Sequence, residues 1–288
     1  MDTAPPPSRG WRARVQELVP VLILGVAALR FAKRYRRAYA PWIRSATAGQ
    51  PLERIERSFF ADDAAAALTR CAVASASSGA NELNELFSAT RGLVARFNAE
   101  GVDAARRHAA LGCLLPFFDA VRDPAANAFV LNVLSCDAGT DAPPVAYHID
   151  ATVAIDEERY AFAAHSVSVW YASVPRDMAG GALDLVLFDD ALFAAAANDA
   201  RKSRALLAEV DGAPAGVVPL GGSTATVASI TPAYNDLVVF RGDAFHRVRP
   251  YRAADESGRR VSLVLEQYRV PDGHYAKTEA FHFSGGAY

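Results

Sequence analysis

The stretch AYHIDATVAI, residues 146–155, places His148 and Asp150 two apart within a run of strand-forming residues. Residues i and i+2 of a strand project from the same face, so an imidazole and a carboxylate at this spacing can reach one ion. In a chain of 288 residues with 6 histidines, one such triplet is close to a chance event. A metal site therefore needs a further donor from elsewhere in the fold.

The remaining histidines are His108, His165, His246, His274 and His282. His108 falls in an Arg/Ala-rich helical stretch, His165 in a polar loop before a strand, and His274 and His282 in an irregular tail. His246, in DLVVFRGDAFHRVRP, has a strand-turn-strand context in which Gly242-Asp243 folds one strand back on the other. Two histidines and one carboxylate on one face of an ion, with other positions open, are the ligand set of non-haem Fe(II) sites. A buried structural histidine is the competing reading of His246. Further on, in RRVSLVLEQY, Arg260 and Ser262 again share a strand face. A guanidinium fork matches a carboxylate bidentately and a neighbouring hydroxyl adds a hydrogen bond, which suits a dicarboxylate co-substrate. The alternative is a solvated strand-edge arginine, with Arg259 its twin.

The elements that must position these groups divide the chain in three. Residues 1–50 form a Pro-rich start and a helical segment over 11–40. Residues 51–125 read as a helical support region, with Asp62 and Asp63 as capping candidates before an alanine-rich helix. The stretches NELNELFSATRGLVARFNAEG and VDAARRHAALGCLLPFFDAVRD carry apolar residues at helical spacing. From residue 126 to 288 the pattern becomes short β-branched runs (AFVLNVLS, SVSVWYAS, ALDLVLF, DLVVFRG, RRVSLVLEQYRV) separated by Gly, Pro and Asp. One helical insertion near 189–210 interrupts them. The fold class is α+β, with a sandwich or barrel carrying the chemistry.

Composition narrows the partners. A formal charge of −2 offers no basic excess to neutralise phosphates, so nucleic acid is not expected. Cys71, Cys113 and Cys136 are isolated and show no paired metal spacing, which favours idle thiols in a reducing cytoplasm over a disulfide framework. The apolar run LVPVLILGVAAL is too short to span a bilayer. A packing helix is the preferred reading of residues 11–40, with membrane-surface contact and a cleaved signal as alternatives.

The order His148-x-Asp150, MAGGALDLVLF, TPAYNDLVVFRGDAFHRVRPY and RRVSLVLEQY resembles the Fe(II)/2-oxoglutarate-dependent oxygenases, in particular their prolyl-4-hydroxylase-like branch. The likeness covers about residues 126–270. It rests on Gly180-Gly181 before a strand, the Pro232–Phe240 strand, the distal His246 and a basic residue opening the last core strand. The resemblance implies a double-stranded β-helix of jelly-roll or cupin-like shape, with helices packed before it. It implies Fe(II) on His148, Asp150 and His246, with the far carboxylate of 2-oxoglutarate on Arg260, assisted by Ser262. O2 would be the co-substrate and ascorbate an accessory reductant. Related halogenases lack the carboxylate, so Asp150 points to hydroxylation, with desaturation or ring closure as variants.

Two departures stand out. Arg260 lies farther from His246 than is usual, which leaves Arg252 or Arg259 as alternative anchors. The insertion at 189–210 also lengthens the stretch between Asp150 and His246. Separately, in LNVL, Leu134 stands where some relatives have a tyrosine two residues after Asn132, which is given no role. Tyr147, Trp170, Tyr171 and Tyr234 are aromatic candidates for a pocket wall, although strand parity forbids Trp170 and Tyr171 from facing the same way. The implied substrate is a small molecule or amino-acid derivative. A cupin-like metal enzyme without 2-oxoglutarate, a protein side-chain hydroxylase and a non-catalytic sandwich are the alternatives.

Overall fold

The computed structural model describes residues 42–44, 46, 49–76, 90–139, 141, 143–151, 161–254 and 258–284. The segment 11–40, read above as a helix, lies outside them. In chain order the strands are β1 Trp42–Ile43, β2 Glu53–Glu56, β3 Thr90–Asn98, β4 Ala128–Cys136, β5 Val145–His148, β6 Ala161–Phe162, β7 Ser166–Ser173 and β8 Ala179–Gly180. They continue with β9 Leu183–Phe188, β10 Gly216–Leu220, β11 Ser223–Ile230, β12 Leu237–Arg241, β13 Phe245–Val248, β14 Tyr251–Arg252, β15 Arg260–Tyr268 and β16 Phe281–Ser284.

A long sheet has the order β16-β3-β4-β15-β7-β12-β2, and a shorter one the order β10-β11-β9-β13-β5. Eight of these strands, β4-β15-β7-β12 and β11-β9-β13-β5, make two four-stranded sheets between which the chain crosses repeatedly. Consecutive strands β4, β5, β7 and β9 fall alternately in the two sheets. This is the jelly-roll, or double-stranded β-helix, topology.

Alternation along the strands explains why the long sheet reads as nearly continuous apolar sequence. Phe129, Leu131 and Val133 of β4, Trp170 and Ala172 of β7, and Leu263 and Leu265 of β15 pack outward. They meet the helices Asp62–Ala76 and Leu115–Val121. Val130, Val167, Val169 and Tyr171 turn inward to the space between the sheets, with Leu185 and Phe240. Both faces are covered, so hardly a position has reason to be polar. Burying a side chain of this size contributes roughly 1.5–3 kcal/mol.

Three expectations are corrected. The stretch 81–101, read as a helix, contains strand β3, paired with β4 from Thr90 against Cys136 to Asn98 against Ala128. Leu93, Ala95 and Phe97 join the outer core and Val94 the inner one, so two-sided burial imitates helical spacing. The tail is not irregular: β16 pairs with β3 antiparallel, and Asp272–Tyr275 form a helical turn. Cys71 and Cys113 are bonded to each other, with Cα atoms 6.0 Å apart, while Cys136 is free and buried. Folding of the helix Asp62–Ala76 against the segment before Leu115–Val121 creates a proximity that a separation of 42 residues conceals. No helix among the described residues is long and apolar enough to cross a membrane.

One loop residue ties the layers together. Asn235 adopts a left-handed backbone (φ 64°) before β12. Its side-chain oxygen accepts from Trp170 Nε1 at 3.0 Å and from the Phe60 amide at 3.1 Å, and its amide group donates to the Phe60 carbonyl at 2.7 Å. Its own N–H donates to the carbonyl of Tyr171. Asn is one of the few residues that tolerate this conformation while supplying such bonds.

Replacing Asn235 by Ala strands buried partners and is expected to cost about 3 kcal/mol, read from denaturant unfolding. An unchanged midpoint would refute the bridging role. Reduction of the Cys71–Cys113 bond is expected to lower stability by about 2–4 kcal/mol, and the Cys71→Ser, Cys113→Ser protein should then show no response to reductant.

Candidate functional site

The turn between β12 and β13 decides where His246 lies. An ideal Cβ on Gly242 would sit 2.2 Å from the Ala164 carbonyl oxygen, so only glycine fits there. Asp243 is fully buried and clamped by two arginines, accepting from Arg241 Nε at 3.0 Å and from Arg44 Nε at 2.8 Å. Burial opposes its ionisation, but the two guanidinium groups outweigh that and hold its carboxyl below the usual range. From this anchored turn β13 runs between β5 and β9, with His246 directly opposite His148.

The two imidazole centroids are 4.1 Å apart. Asp150 lies between them, with Oδ1 3.3 Å from His148 Nε2 and Oδ2 3.4 Å from His246 Nε2. Ligand atoms of all three lie within 4.8 Å of one another, the sole such grouping of metal-ligating side chains among the described residues. Each ring is fixed from behind. His148 Nδ1 lies 2.9 Å from the Ala146 carbonyl and His246 Nδ1 lies 3.2 Å from that of Ala244. A carbonyl oxygen can only accept, so each Nδ1 carries a proton and Nε2 is the nitrogen turned toward the carboxylate, the usual support behind a metal-bound histidine.

Charge supports the same geometry. Burial, aided by the neighbouring His148, pushes the His246 pKa down to about 4, so this imidazole is neutral and able to bind a metal at neutral pH. Burial works against the Asp150 carboxylate, yet the facing His246 and the hydrogen bond from His148 hold its pKa below the ordinary value. Two imidazole nitrogens and one carboxylate oxygen, converging from neighbouring strands of one sheet, fit a divalent transition metal.

The triad opens into a cavity between the sheets with about 50 Å³ of room for water-sized molecules. Arg260 and Ser262 line the same cavity from β15, and both are buried. Arg260 donates to the Gly181 carbonyl at 2.6 Å, while its Nε has no hydrogen-bond partner. Gly180 and Gly181 both have positive φ, and a Cβ on Gly180 would meet the Pro250 carbonyl at 2.5 Å, so the glycine pair lets the chain bring that acceptor inward. Tyr251 receives the Arg260 amide on its hydroxyl and in turn donates to the Cys136 carbonyl, both at closed range. Arg252 is exposed near Asp141, and Arg259 lies on the surface 3.0 Å from Asp137. Neither lines the cavity.

The other histidines lie elsewhere. His108 stacks on Phe283, His274 packs against Phe162, His282 is exposed on β16, and His165 faces Asp123 at 3.3 Å. That last pair borders a larger cleft of about 550 Å³ on the helix-covered side of the long sheet. Of the four aromatic candidates only Tyr171 lines the triad's cavity. Trp170 packs outward, Tyr147 lies under the Arg247 guanidinium, and Tyr234 is exposed.

Sequence reasoning gave no role to Asn132 or Glu266, yet both line the cavity. The available signal was parity. Arg260, Ser262, Val264 and Glu266 share one face of β15, so any cavity holding the first pair was bound to include Glu266 if it ran far enough.

Comparison with protein-family models and with curated protein sequences gives no match. Among solved structures, the chain is similar to a prolyl-4-hydroxylase from Pseudomonas putida, at 15% identity over 77% of this chain and 95% of that one, with a TM-score of 0.43. A 2OG-Fe(II) oxygenase family oxidoreductase from Burkholderia pseudomallei gives 16% identity over 80% and 96%, with a TM-score of 0.38. A prolyl hydroxylase from Trichoplax adhaerens, in complex with a hypoxia inducible factor oxygen degradation domain peptide fragment, gives 10% identity over 84% and 92%, with a TM-score of 0.37.

Titrating metal-free protein with Mn(II) or Fe(II) under argon is expected to raise its thermal stability, by about 2.7 kcal/mol at a free metal concentration one hundred times Kd. The Asp150→Ala protein should lose this response while His165→Ala keeps it. The reverse pattern would overturn the ligand assignment.

Proposed function

We propose that this protein is an Fe(II)- and 2-oxoglutarate-dependent dioxygenase that hydroxylates an unactivated C–H bond of a small molecule or amino-acid derivative. One observation carries the reading: a His-Asp-His cluster and a buried arginine whose Nε has no hydrogen-bond partner among the described residues share one cavity. A metal site alone would fit a cupin-like enzyme without 2-oxoglutarate. Such an enzyme has no use for Arg260, whose burial is costly unless an anion or polar acceptors receive it.

In this reading His148, Asp150 and His246 hold Fe(II), and Arg260 with Ser262 binds the far carboxylate of 2-oxoglutarate. Bound Fe(II) would supply O2 activation coupled to oxidative decarboxylation of 2-oxoglutarate, giving succinate, CO2 and a hydroxylated product. The chain's own contribution is orientation and exclusion of water. Val167, Val169, Leu183, Phe240 and Val248 make the cavity wall apolar around the few polar groups. Asp150 occupies the position that a halide would need, which favours hydroxylation. A peptide side chain is the second reading of the substrate.

Anaerobic addition of Fe(II) and 2-oxoglutarate is expected to give a weak visible charge-transfer band, and admission of air to give succinate. Absence of both would sink the proposal. Arg260→Ala should weaken 2-oxoglutarate on the order of 100-fold, since it removes a buried charged donor. Arg252→Ala and Arg259→Ala should leave that affinity within about twofold, surface ion pairs contributing little.

A further inference from the structure

The cavity has two chemically distinct ends. Arg260 opens β15, opposite Cys136, and Glu266 lies six residues further along the same face, about 20 Å away along the strand. Val145 of β5 packs with Leu134 and Cys136 at the Arg260 end. The carbonyl of Asp150 accepts from the Ala164 amide, and the next amide, that of His165, donates to the carbonyl of Gln267 beside Glu266. The triad therefore lies between a basic end and an acidic end.

The acidic end is a built arrangement. Asn132 Nδ2 donates to Glu266 Oε1 at 3.1 Å, and the Tyr268 hydroxyl donates to Glu266 Oε2. All three are at least nine-tenths buried. Asn132 turns its side-chain NH2 group to the carboxylate, and its Oδ1 is buried with no hydrogen-bond partner among the described residues. That oxygen and the carboxylate make this end rich in acceptors, within walls supplied by Val130, Val167 and Val264. A buried carboxylate in apolar surroundings is expensive, and a polar atom left unpaired beside it adds to the cost. A cationic nitrogen meets both, because its N–H groups reach the carboxylate and the amide oxygen together as charge-assisted bonds.

We infer that Glu266, positioned by Tyr268 and paired with Asn132 Oδ1, is the specificity determinant that receives an ammonium group of the substrate and sets its carbon chain toward the triad. This inference rests on the oxygenase reading for its chemistry, since 2-oxoglutarate would occupy the Arg260 end and leave the acidic end to the substrate. It narrows the substrate class to primary amines and amino-acid-type molecules bearing a positive nitrogen.

The test compares three probes of equal length, butylammonium, butan-1-ol and butyrate. Each is titrated into the full chain under argon, first with Mn(II) and 2-oxoglutarate and then with neither, and binding is followed by the proton relaxation of the probe. Butylammonium is expected to bind at least tenfold tighter than the alcohol, with butyrate weakest, and to relax fastest in the Mn(II) sample. Glu266→Gln should abolish the preference for the cation while leaving the alcohol unchanged, and Asn132→Ala should reduce it. Equal binding of the three probes, or a cation preference that persists in Glu266→Gln, would overturn the inference. If Glu266→Gln does not fold, the ranking on the unaltered protein decides. The two readings fail separately: a charge-transfer band without a cation preference removes the role of Glu266 alone. A cation preference in metal-free protein that gives neither band nor succinate keeps the ammonium site and removes the oxygenase.

Discussion

The pairing of β13 between β5 and β9 is the constraint on which the site depends. It sets His246 against His148 and leaves Asp150 between two imidazoles, with each ring's rear nitrogen held by a carbonyl two residues back. A carboxylate buried in this way has lost water worth several kcal/mol and must be compensated by its neighbours. Both histidines face it, so the compensation comes from the same groups that would share a metal with it. The structure outside the triad serves this pairing. Gly242 permits the close approach of the turn to Ala164, and Asp243, clamped by Arg241 and Arg44, keeps β13 from shifting by a residue. A one-residue shift would turn His246 to the other face of its sheet.

Polar groups on the inner face of β15 are the second organising feature. A jelly roll of this size could close on apolar residues alone, yet Arg260, Ser262 and Glu266 occupy three of the five inward positions of this strand, beside Val264 and Tyr268. The two ionisable residues are each tied to particular partners: Arg260 to Gly181, Glu266 to Asn132 and Tyr268. Local violations of hydrophobic patterning that persist despite their cost mark functional surfaces more often than errors of packing. Here they also divide the cavity by sign, with the positive charge near Cys136 and the negative charge near Val130.

Strand parity is local information, which is why the triad and the Arg260-Ser262 pair were legible in the sequence. Two residues two apart share a strand face, and the Gly242-Asp243 turn marked His246 as the candidate third ligand, with a buried structural histidine as the competing reading until the family resemblance was added. Strand β3 was not legible, for a physical reason. With Leu93, Ala95 and Phe97 in one core and Val94 in another, its apolar residues lose the period of two that identifies a half-buried strand. The Cys71–Cys113 bond and the β16–β3 pair depend on how distant segments meet, which no spacing encodes. Glu266 falls between these cases: its face was known from Arg260, but not that the cavity runs so far along β15.

The two cores are coupled through single residues, and this shapes how the cavity is held. Trp170 and Tyr171 are adjacent yet belong to opposite layers, Trp170 in the edge-on contact with Phe60 beneath the helices and Tyr171 in the cavity, 5.6 Å from the Arg260 guanidinium carbon by ring centroid. Asn235 bonds the Trp170 indole through its side chain and the Tyr171 carbonyl through its backbone amide. The chain entering β12 is thereby fixed to both sides of β7 at one point. The same strand then leads through Gly242 to His246. Packing of the helical layer on the long sheet thus reaches the ligand set through a continuous, nearly incompressible path of buried side chains and one short turn. The described helices before the barrel are therefore part of what positions the triad, although none of these contributes a residue to the cavity wall.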